Sequence, residues 1–159
     1  FNKDRYAIAY ADIFVLKSEY MLKAHNSNHR ALSEMLTATK SADEYVLLEE
    51  AVNILLKDCN KNDYSKCNLA IVDKVYVDKS FRGCEISSWL HDNIKQIVKI
   101  YGMLDISAAL LLPGDFSCEA RLFNMSTQQY KSFLINHYKN HGYELLNKPK
   151  GVMVKKLLK

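Results

Sequence analysis

The segment Val75–Leu90 is the part of the chain whose residue types and spacing most directly suggest a chemistry. It has the pattern of a β-strand end, a tight turn over Phe81–Ser87 and the first turn of a helix. Backbone N–H groups at such a turn, reinforced by the positive end of the helix dipole, are suited to binding a phosphate group. The segment therefore predicts an anion-binding turn, with an ordinary strand-to-helix connection as the alternative.

Two acidic residues interrupt segments that otherwise have the pattern of strands. Asp12 lies in Tyr6–Leu16, and Asp73 lies in Asn68–Val77. An acid in a strand interior is unusual, and a carboxylate held near a reacting amine could accept its proton. Each acid could instead cap a neighbouring group, pair with a lysine or face solvent, so both alternatives stay open.

The histidines and cysteines do not predict a metal centre. His25 and His29, like His137 and His141, have the i, i+4 spacing that can hold zinc on one helix face, but neither pair has the acidic neighbour of a HExxH site. The cysteines show no CxxC pair, which favours reduced thiols and a cytoplasmic protein. They are Cys59, Cys67, Cys84 and Cys118.

Length and composition indicate an ordinary globular protein. With 159 residues, 48% of them hydrophobic and 25% charged, the chain is expected to form a single domain over residues 1–159. The net charge of +4 suits an anionic ligand but is too small to argue for nucleic acid. No apolar run approaches the roughly 18 residues of a membrane span, so no membrane partner is expected.

The elements that must position these residues alternate along the chain, which predicts an α/β or α+β layer structure. The first strand, Tyr6–Leu16, has one face of large residues and one of smaller residues. A long helical region follows, with a capping box at Ser41–Glu44. The segment Asn68–Leu112 is predicted to form a βαβ unit that ends in a buried strand over Leu104–Leu112.

Two amphipathic helices complete the predicted layers. The helix after the turn should end at Gly102. Its predicted buried stripe comprises Ile86, Trp89, Leu90, Ile94, Ile97, Val98 and Tyr101. A second capping box, Ser126–Gln129, should open a helix that ends at Gly142. Its predicted inward residues are Tyr130, Phe133, Leu134 and Tyr138. The last predicted strands are Tyr143–Leu146 and Gly151–Leu158.

The turn resembles the coenzyme A loop of the GNAT superfamily of N-acetyltransferases, which has an Arg/Gln-x-x-Gly-x-Gly/Ala pattern. The matching positions are Arg82, Gly83, Cys84, Glu85, Ile86 and Ser87. Glu85 stands where the pattern has glycine, and Ser87 replaces the last small residue. The loop is therefore a degenerate version of the family pattern, and Glu85 either repels the bound anion or turns outward.

The C-terminal block is similar to the GNAT ending of a helix and a strand. Tyr138 matches the family tyrosine, Gly142 the helix stop and Tyr143 the following aromatic position. Met153, Lys155 and Leu157 match the last strand. The resemblance is good over residues 68–159 and poor over residues 1–66, where early strands are missing from the chain or the helical stretch is an insertion.

The resemblance implies a GNAT-like mixed central sheet with flanking helices and a coenzyme A-binding βαβ core. It also implies transfer of an acetyl group from acetyl-CoA to an amine by direct attack. Val75, Tyr76 and Val77 would pair with the pantetheine arm, and the Arg82–Ser87 turn would hold the pyrophosphate. Tyr138 would protonate the leaving thiolate, and Asp73 would accept the amine proton.

Other interpretations stay open at this stage. A GNAT-like fold with a degenerate loop could be a binding module that contacts protein or nucleic acid, and the turn and tyrosine could belong to a structural α/β domain. Tyr138 itself could be a core aromatic residue. The amine acceptor is not identified by the sequence, and a homodimer is one arrangement among several.

Overall fold

The computed structural model of the protein describes residues 7–17, 68–114, 119–146 and 151–157. Several predictions therefore lie outside the described residues: the Ser41–Glu44 capping box, the His25 and His29 pair, and all the cysteines except Cys84. Cys84 is a free, exposed thiol. The described helices include none long and apolar enough to cross a membrane.

A five-stranded mixed sheet forms the centre of the described structure, with spatial order β1-β2-β3-β5-β4. The strands are β1 (Ala9–Leu16), β2 (Leu69–Val77), β3 (Ala108–Leu111), β4 (Glu144–Leu145) and β5 (Met153–Lys156). β2 and β3 are parallel, whereas the other neighbouring strands are antiparallel. This confirms the predicted α+β class and is consistent with a GNAT-like fold.

Helices connect and flank the strands. They are α1 (Ile86–Asp92), α2 (Ile94–Gly102), α3 (Glu119–Leu122) and α4 (Thr127–Asn140). α1 and α2 make the crossover between the parallel strands β2 and β3, which is the predicted βαβ unit. α4 begins at the predicted capping box, where Ser126 Oγ accepts a hydrogen bond from Gln129 N at 3.2 Å and Gln129 Oε1 accepts one from Ser126 N at 2.8 Å.

The hydrophobic core lies between one face of the sheet and the helices. Alternate residues of β2 and β3 supply the sheet side, because successive side chains of a strand point to opposite faces. Ile94 and Val98 supply the helix side. The residues of this core are Ala70, Val72, Ile94, Val98, Ile106, Ala109, Leu111, Tyr143 and Met153. Tyr138, Val75 and the inward residues of β1 pack against it.

The inward face of β1 is its face of smaller residues. Ile13 and Val15 pack against the core, whereas Tyr10 and Phe14 on the opposite face are 50% and 37% exposed. Asp12 is also exposed and lies opposite Lys74 in the register. The predicted inequality of the two faces is therefore present.

The predicted buried stripe of the helix after the turn is partly wrong. Trp89 is 61% exposed and Tyr101 is 85% exposed, while His91 is completely buried. Asn93 divides the predicted helix into α1 and α2, but the buried residues keep one helical phase across this break. In α1 the inward face is centred on His91, one i, i+3 step before the buried Ile94.

Two further details differ from prediction. The left-handed residue that ends α2 is Met103, with a φ of 53°, and Gly102 is the last helical residue. Phe133 is 50% exposed because the inward stripe of α4 runs through Tyr130, Leu134 and Tyr138 at i, i+4 spacing. Gly142 has the predicted role, since α4 ends at Asn140 and Gly142 has a φ of 79°.

Candidate functional site

β2 stops pairing with its parallel neighbour just before Asp73. The β2–β3 register ends at Val72 and Leu111, whereas β2 continues five residues further, to Val77. At the same point the register with β1 passes from Lys74 to Val72, so Asp73 is an extra residue of β2. A bulge of this kind bends the strand that contains it. Because β3 itself ends at Leu111, β2 extends beyond its parallel neighbour.

Beyond the bulge, β2 pairs with a strand on one side only among the described residues. Val75, Tyr76 and Val77 lie opposite residues of β1, and Tyr76 stacks on Tyr10 with ring centroids 5.3 Å apart. No described strand covers the side that faces β3 at this level. An extended ligand could therefore hydrogen-bond to the backbone of Val75–Val77 as an added strand does.

The turn after β2 is fixed by side chains from both of its ends. Asp78 Oδ1 accepts a hydrogen bond from Ser80 N at 2.9 Å and caps a short 3₁₀ turn, Lys79–Phe81. Arg82 Nε donates to the Val77 carbonyl at 3.1 Å, which ties the turn to the end of β2. The guanidinium carbon of Arg82 also lies 6.0 Å from the centre of the Tyr76 ring.

Glu85, which departs from the family pattern, has a backbone conformation that is typical of glycine. It is the residue before α1 and adopts a left-handed conformation, with a φ of 58° and a ψ of 16°. Glycine adopts this conformation without strain, which explains why the pattern has glycine at this position. The Glu85 side chain is exposed and forms no cap hydrogen bond with α1.

The first turn of α1 supplies the N–H groups that the sequence predicted. Trp89 N donates to the Glu85 carbonyl at 2.8 Å and forms the first intrahelical bond, so the N–H groups of Ile86, Ser87 and Ser88 precede it. Such groups have no intrahelical acceptor and are available to an anion. Earlier in the turn, the N–H groups of Arg82 and Cys84 already donate to the Lys79 and Phe81 carbonyls, both at 3.4 Å.

Tyr138 lies at the other end of α1, in a group of rings that the sequence did not predict. It is half-buried, and its ring centre is 5.0 Å from that of His91 in an edge-on contact. His91 Nδ1 lies 3.3 Å from the Tyr143 hydroxyl. His91 also lies 6.3 Å from His137 and 6.2 Å from His141 between ring centres. We call His91, His137 and His141 the histidine cluster.

The electrostatic environment of His91 and His137 favours neutral rings. Burial, then the nearby His137, His141 and Lys155, lowers the pKa of His91 from 6.5 to about 3, while Asp92 acts in the opposite direction. Burial and His141 lower the pKa of His137. Burial, with smaller effects of Tyr138 and Asp92, raises the pKa of Tyr143 above its ordinary value of 10.0.

The structure brings some of the predicted residues together and separates others. Val75–Val77 and the Arg82–Ser87 turn are consecutive along β2 and its connection to α1, and Asp73 is buried at the start of that stretch. Asp12 is exposed on β1, so it does not share the buried position of Asp73. Within the described ranges, no group of three histidine, cysteine or acidic side chains is arranged to hold a metal ion.

Sequence reasoning missed His91. Its signal was its position, because His91, Ile94 and Val98 follow one another at i, i+3, i+7 along the inward stripe. A polar residue at such a position predicts a buried, partnered side chain.

No protein-family model and no curated protein matches this chain. Among solved structures, the chain is similar to an acetyltransferase of the GNAT family from Staphylococcus aureus Mu50, with 14% sequence identity and a TM-score of 0.36. The alignment covers 92% of this chain and 100% of that chain. A TM-score of this size marks a loose superposition, so the functional interpretation depends on the residues of this chain.

Proposed function

We propose that this protein is an acetyl-CoA-dependent N-acetyltransferase of the GNAT type, formed as a single domain over residues 1–159. The observation that carries the proposal is that β2 stops pairing with β3 just before the Asp73 bulge and continues into the turn before α1. A strand with one uncovered edge that leads into an anion-binding turn provides backbone groups for a phosphate-bearing, extended cosubstrate.

The residues of the chain fit such a cosubstrate. Backbone groups of Val75, Tyr76 and Val77 would pair with the pantetheine arm. The N–H groups of the turn that comprises Arg82, Gly83, Cys84, Glu85, Ile86 and Ser87 would hold the pyrophosphate. The exposed position of Glu85 supports this fit, because a side chain in water repels an anion far less than one in a low-dielectric site.

The proposed transfer joins the amine nitrogen to the thioester carbonyl carbon and breaks the carbon–sulfur bond. Asp73 accepts the proton that the amine loses, directly or through a water molecule. It is the buried acid at the point where β2 stops pairing with β3. Tyr138 donates its hydroxyl proton to the departing thiolate. The amine acceptor, a homodimeric assembly and a cytoplasmic location are parts of the proposal that need their own experiments.

Calorimetric titration with acetyl-CoA tests binding. We expect one cosubstrate per chain, and we expect Ser87→Trp to abolish binding because the indole would occupy the first turn of α1. Ser132→Trp, on the exposed surface of α4, is the matched control and should bind normally. Absence of binding by the wild-type protein at millimolar acetyl-CoA would overturn the proposal.

Release of free thiol across a panel of amines tests catalysis. We expect Tyr138→Phe to lower kcat by about 10²-fold or more with little change in KM for acetyl-CoA, since only the proton donor is lost. Tyr101→Phe, at an 85% exposed tyrosine, is the control. Equal rates for the two variants would remove Tyr138 from the mechanism.

A binding module that lacks catalysis is the second candidate function. The observation that favours it is Glu85, an acid at the turn where the family pattern has glycine. Acetyl-CoA binding without thiol release from any amine would support this candidate over the enzyme.

A further inference from the structure

The histidine cluster joins the two helices that matter most to the proposed site. His91 belongs to α1, which follows the turn, whereas His137 belongs to α4, which carries Tyr138, and His141 is the residue that caps the end of α4. The His137 and His141 ring centres are 4.8 Å apart. Three imidazoles that can each gain a proton are thus packed together between two helices.

The groups around His91 would not tolerate added positive charge. Among the described residues, α1 contributes Asp92, α4 contributes His137 and Tyr138, the segment after α4 contributes His141 and Tyr143, and β5 contributes Lys155. The Lys155 ammonium donates to the His91 carbonyl at 2.9 Å, so a cation already lies beside the ring. Lys155 Nζ is also 3.9 Å from Asp92 Oδ1.

Asp92 is the one carboxylate that this set contains, and it is already engaged. Its Oδ1 lies 3.0 Å from His141 Nδ1, and the Asp92 side chain is 56% exposed. One partly exposed carboxylate beside three imidazoles and an ammonium group cannot neutralise them all once the rings gain protons. His91 has no exposed surface, so a proton on its ring cannot be solvated while the helices stay in contact.

We propose that the histidine cluster is a pH-sensitive joint, which holds α4 against α1 while the buried His91 is neutral and releases α4 when the protein is acidified. In the joined state His91 contacts the Tyr138 and Tyr143 rings edge-on, at 5.0 and 5.5 Å between centres. Protonation replaces these contacts by repulsion between the two helices.

The consequence for catalysis rests on the proposed function, because Tyr138 is there the proton donor. Release of α4 would displace Tyr138 from α1 and hence from the turn that leads into α1. His91 is thereby a positioning residue for Tyr138 rather than a catalytic residue.

The test measures opening directly and needs no cosubstrate. Hydrogen exchange of the α1 and α4 amides, corrected for intrinsic rates, gives the opening equilibrium constant. We expect this constant to increase about tenfold for each pH unit below 6.5, because the open state binds one more proton at His91. We expect His91→Phe, which keeps an aromatic ring that cannot titrate, to lose most of this dependence.

A second measurement applies even if His91→Phe does not fold. In the wild-type protein, the NMR signals of the His91 ring should not titrate near pH 6.5 while its contacts to the Tyr138 ring persist. A folded His91 that titrates near pH 6.5 with those contacts intact would overturn the joint, as would equal pH dependence of opening in the wild type and His91→Phe.

Asp92→Asn and Asp105→Asn form a matched pair. Asp92→Asn removes the carboxylate beside the histidine cluster and should raise the pH at which α4 opens. Asp105→Asn removes a carboxylate that lies 3.5 Å from Lys99 and should not change that pH. Loss of acetyl-CoA binding with this pH dependence intact would defeat only the proposed function. Normal acetyl-CoA binding with opening that does not depend on pH would defeat only the joint.

Discussion

The two ends of α1 lie in opposite environments although the helix is only seven residues long. At its N-terminal end, Gly83 and Glu85 both have positive φ, of 83° and 58°, and both are exposed. At its C-terminal end, His91 has no exposed surface and contacts three aromatic or imidazole rings from α4 and its C-cap residue. At the first end an exposed residue, Glu85, has a strained backbone. At the second end polar rings are closely packed.

This difference separates two tasks. A ligand needs donors that water can reach, and the N-terminal end of α1 provides them through a backbone conformation that costs stability. The position of α1 relative to α4 needs a packed contact, and the C-terminal end provides one through His91 and Tyr143. Substitutions at the packed end should therefore change stability most, and those at the turn should change stability less and binding more.

The largest effect is expected at the packed end. Tyr143 is 1% exposed and belongs to the core, so Tyr143→Ala should lower the free energy of unfolding by about 3–5 kcal/mol. Tyr101→Ala is the control, since Tyr101 is 85% exposed and its loss should change stability by less than about 0.5 kcal/mol. Urea unfolding measures both, and similar losses would contradict the contrast between buried and exposed positions.

The raised pKa of Tyr143 gives the packed end a second signature. An acid whose folded pKa is raised above 10.0 keeps its proton in the folded state while the unfolded chain loses it, so stability falls as pH rises above 10. Between pH 10 and pH 11 this group should cost about 1 kcal/mol. Tyr143→Phe should lose this part of the alkaline dependence, and an unchanged slope would show that Tyr143 ionises normally.

The sequence predicted the elements that depend on local signals. The Ser126–Gln129 capping box, the apolar run of β3 and the strand-turn-helix order around Arg82 all depend on neighbouring residues, and the structure contains each of them. The bulge at Asp73 could not be predicted, because it is a property of the register between β1 and β2. Trp89 is exposed and His91 is buried because residues two apart lie on nearly opposite sides of a helix, and the prediction assigned the inward face by apolar residue type.

The turn should respond to substitution through its backbone. A Cβ at Gly83 would have no atom within 4 Å, so the cost of Gly83→Ala is conformational and should be about 1–2 kcal/mol at a φ of 83°. Gly102→Ala is the matched control, because Gly102 is helical and alanine is the better helix former there. Thermal unfolding should show Gly83→Ala below the wild type and Gly102→Ala level with or above it.

The smallest and most informative effect is expected at Glu85. Glu85→Gly relieves a left-handed glutamate at a φ of 58° and should raise the free energy of unfolding by about 0.5–1 kcal/mol. Glu85→Gln keeps the Cβ and removes only the charge, so it should not change stability in this way. Because an exposed charge acts through water, either variant should improve acetyl-CoA binding only about twofold to threefold.

The pair of Glu85 variants thereby separates conformation from charge at the open end of α1. Equal, small gains in acetyl-CoA affinity for both, with the stability gain confined to Glu85→Gly, fit a working turn with Glu85 directed into water. A gain of a hundredfold or more on loss of the charge would mean that Glu85 blocks the anion in the native protein. The turn would then be a degenerate loop that binds coenzyme A poorly, and the binding module would become the better interpretation.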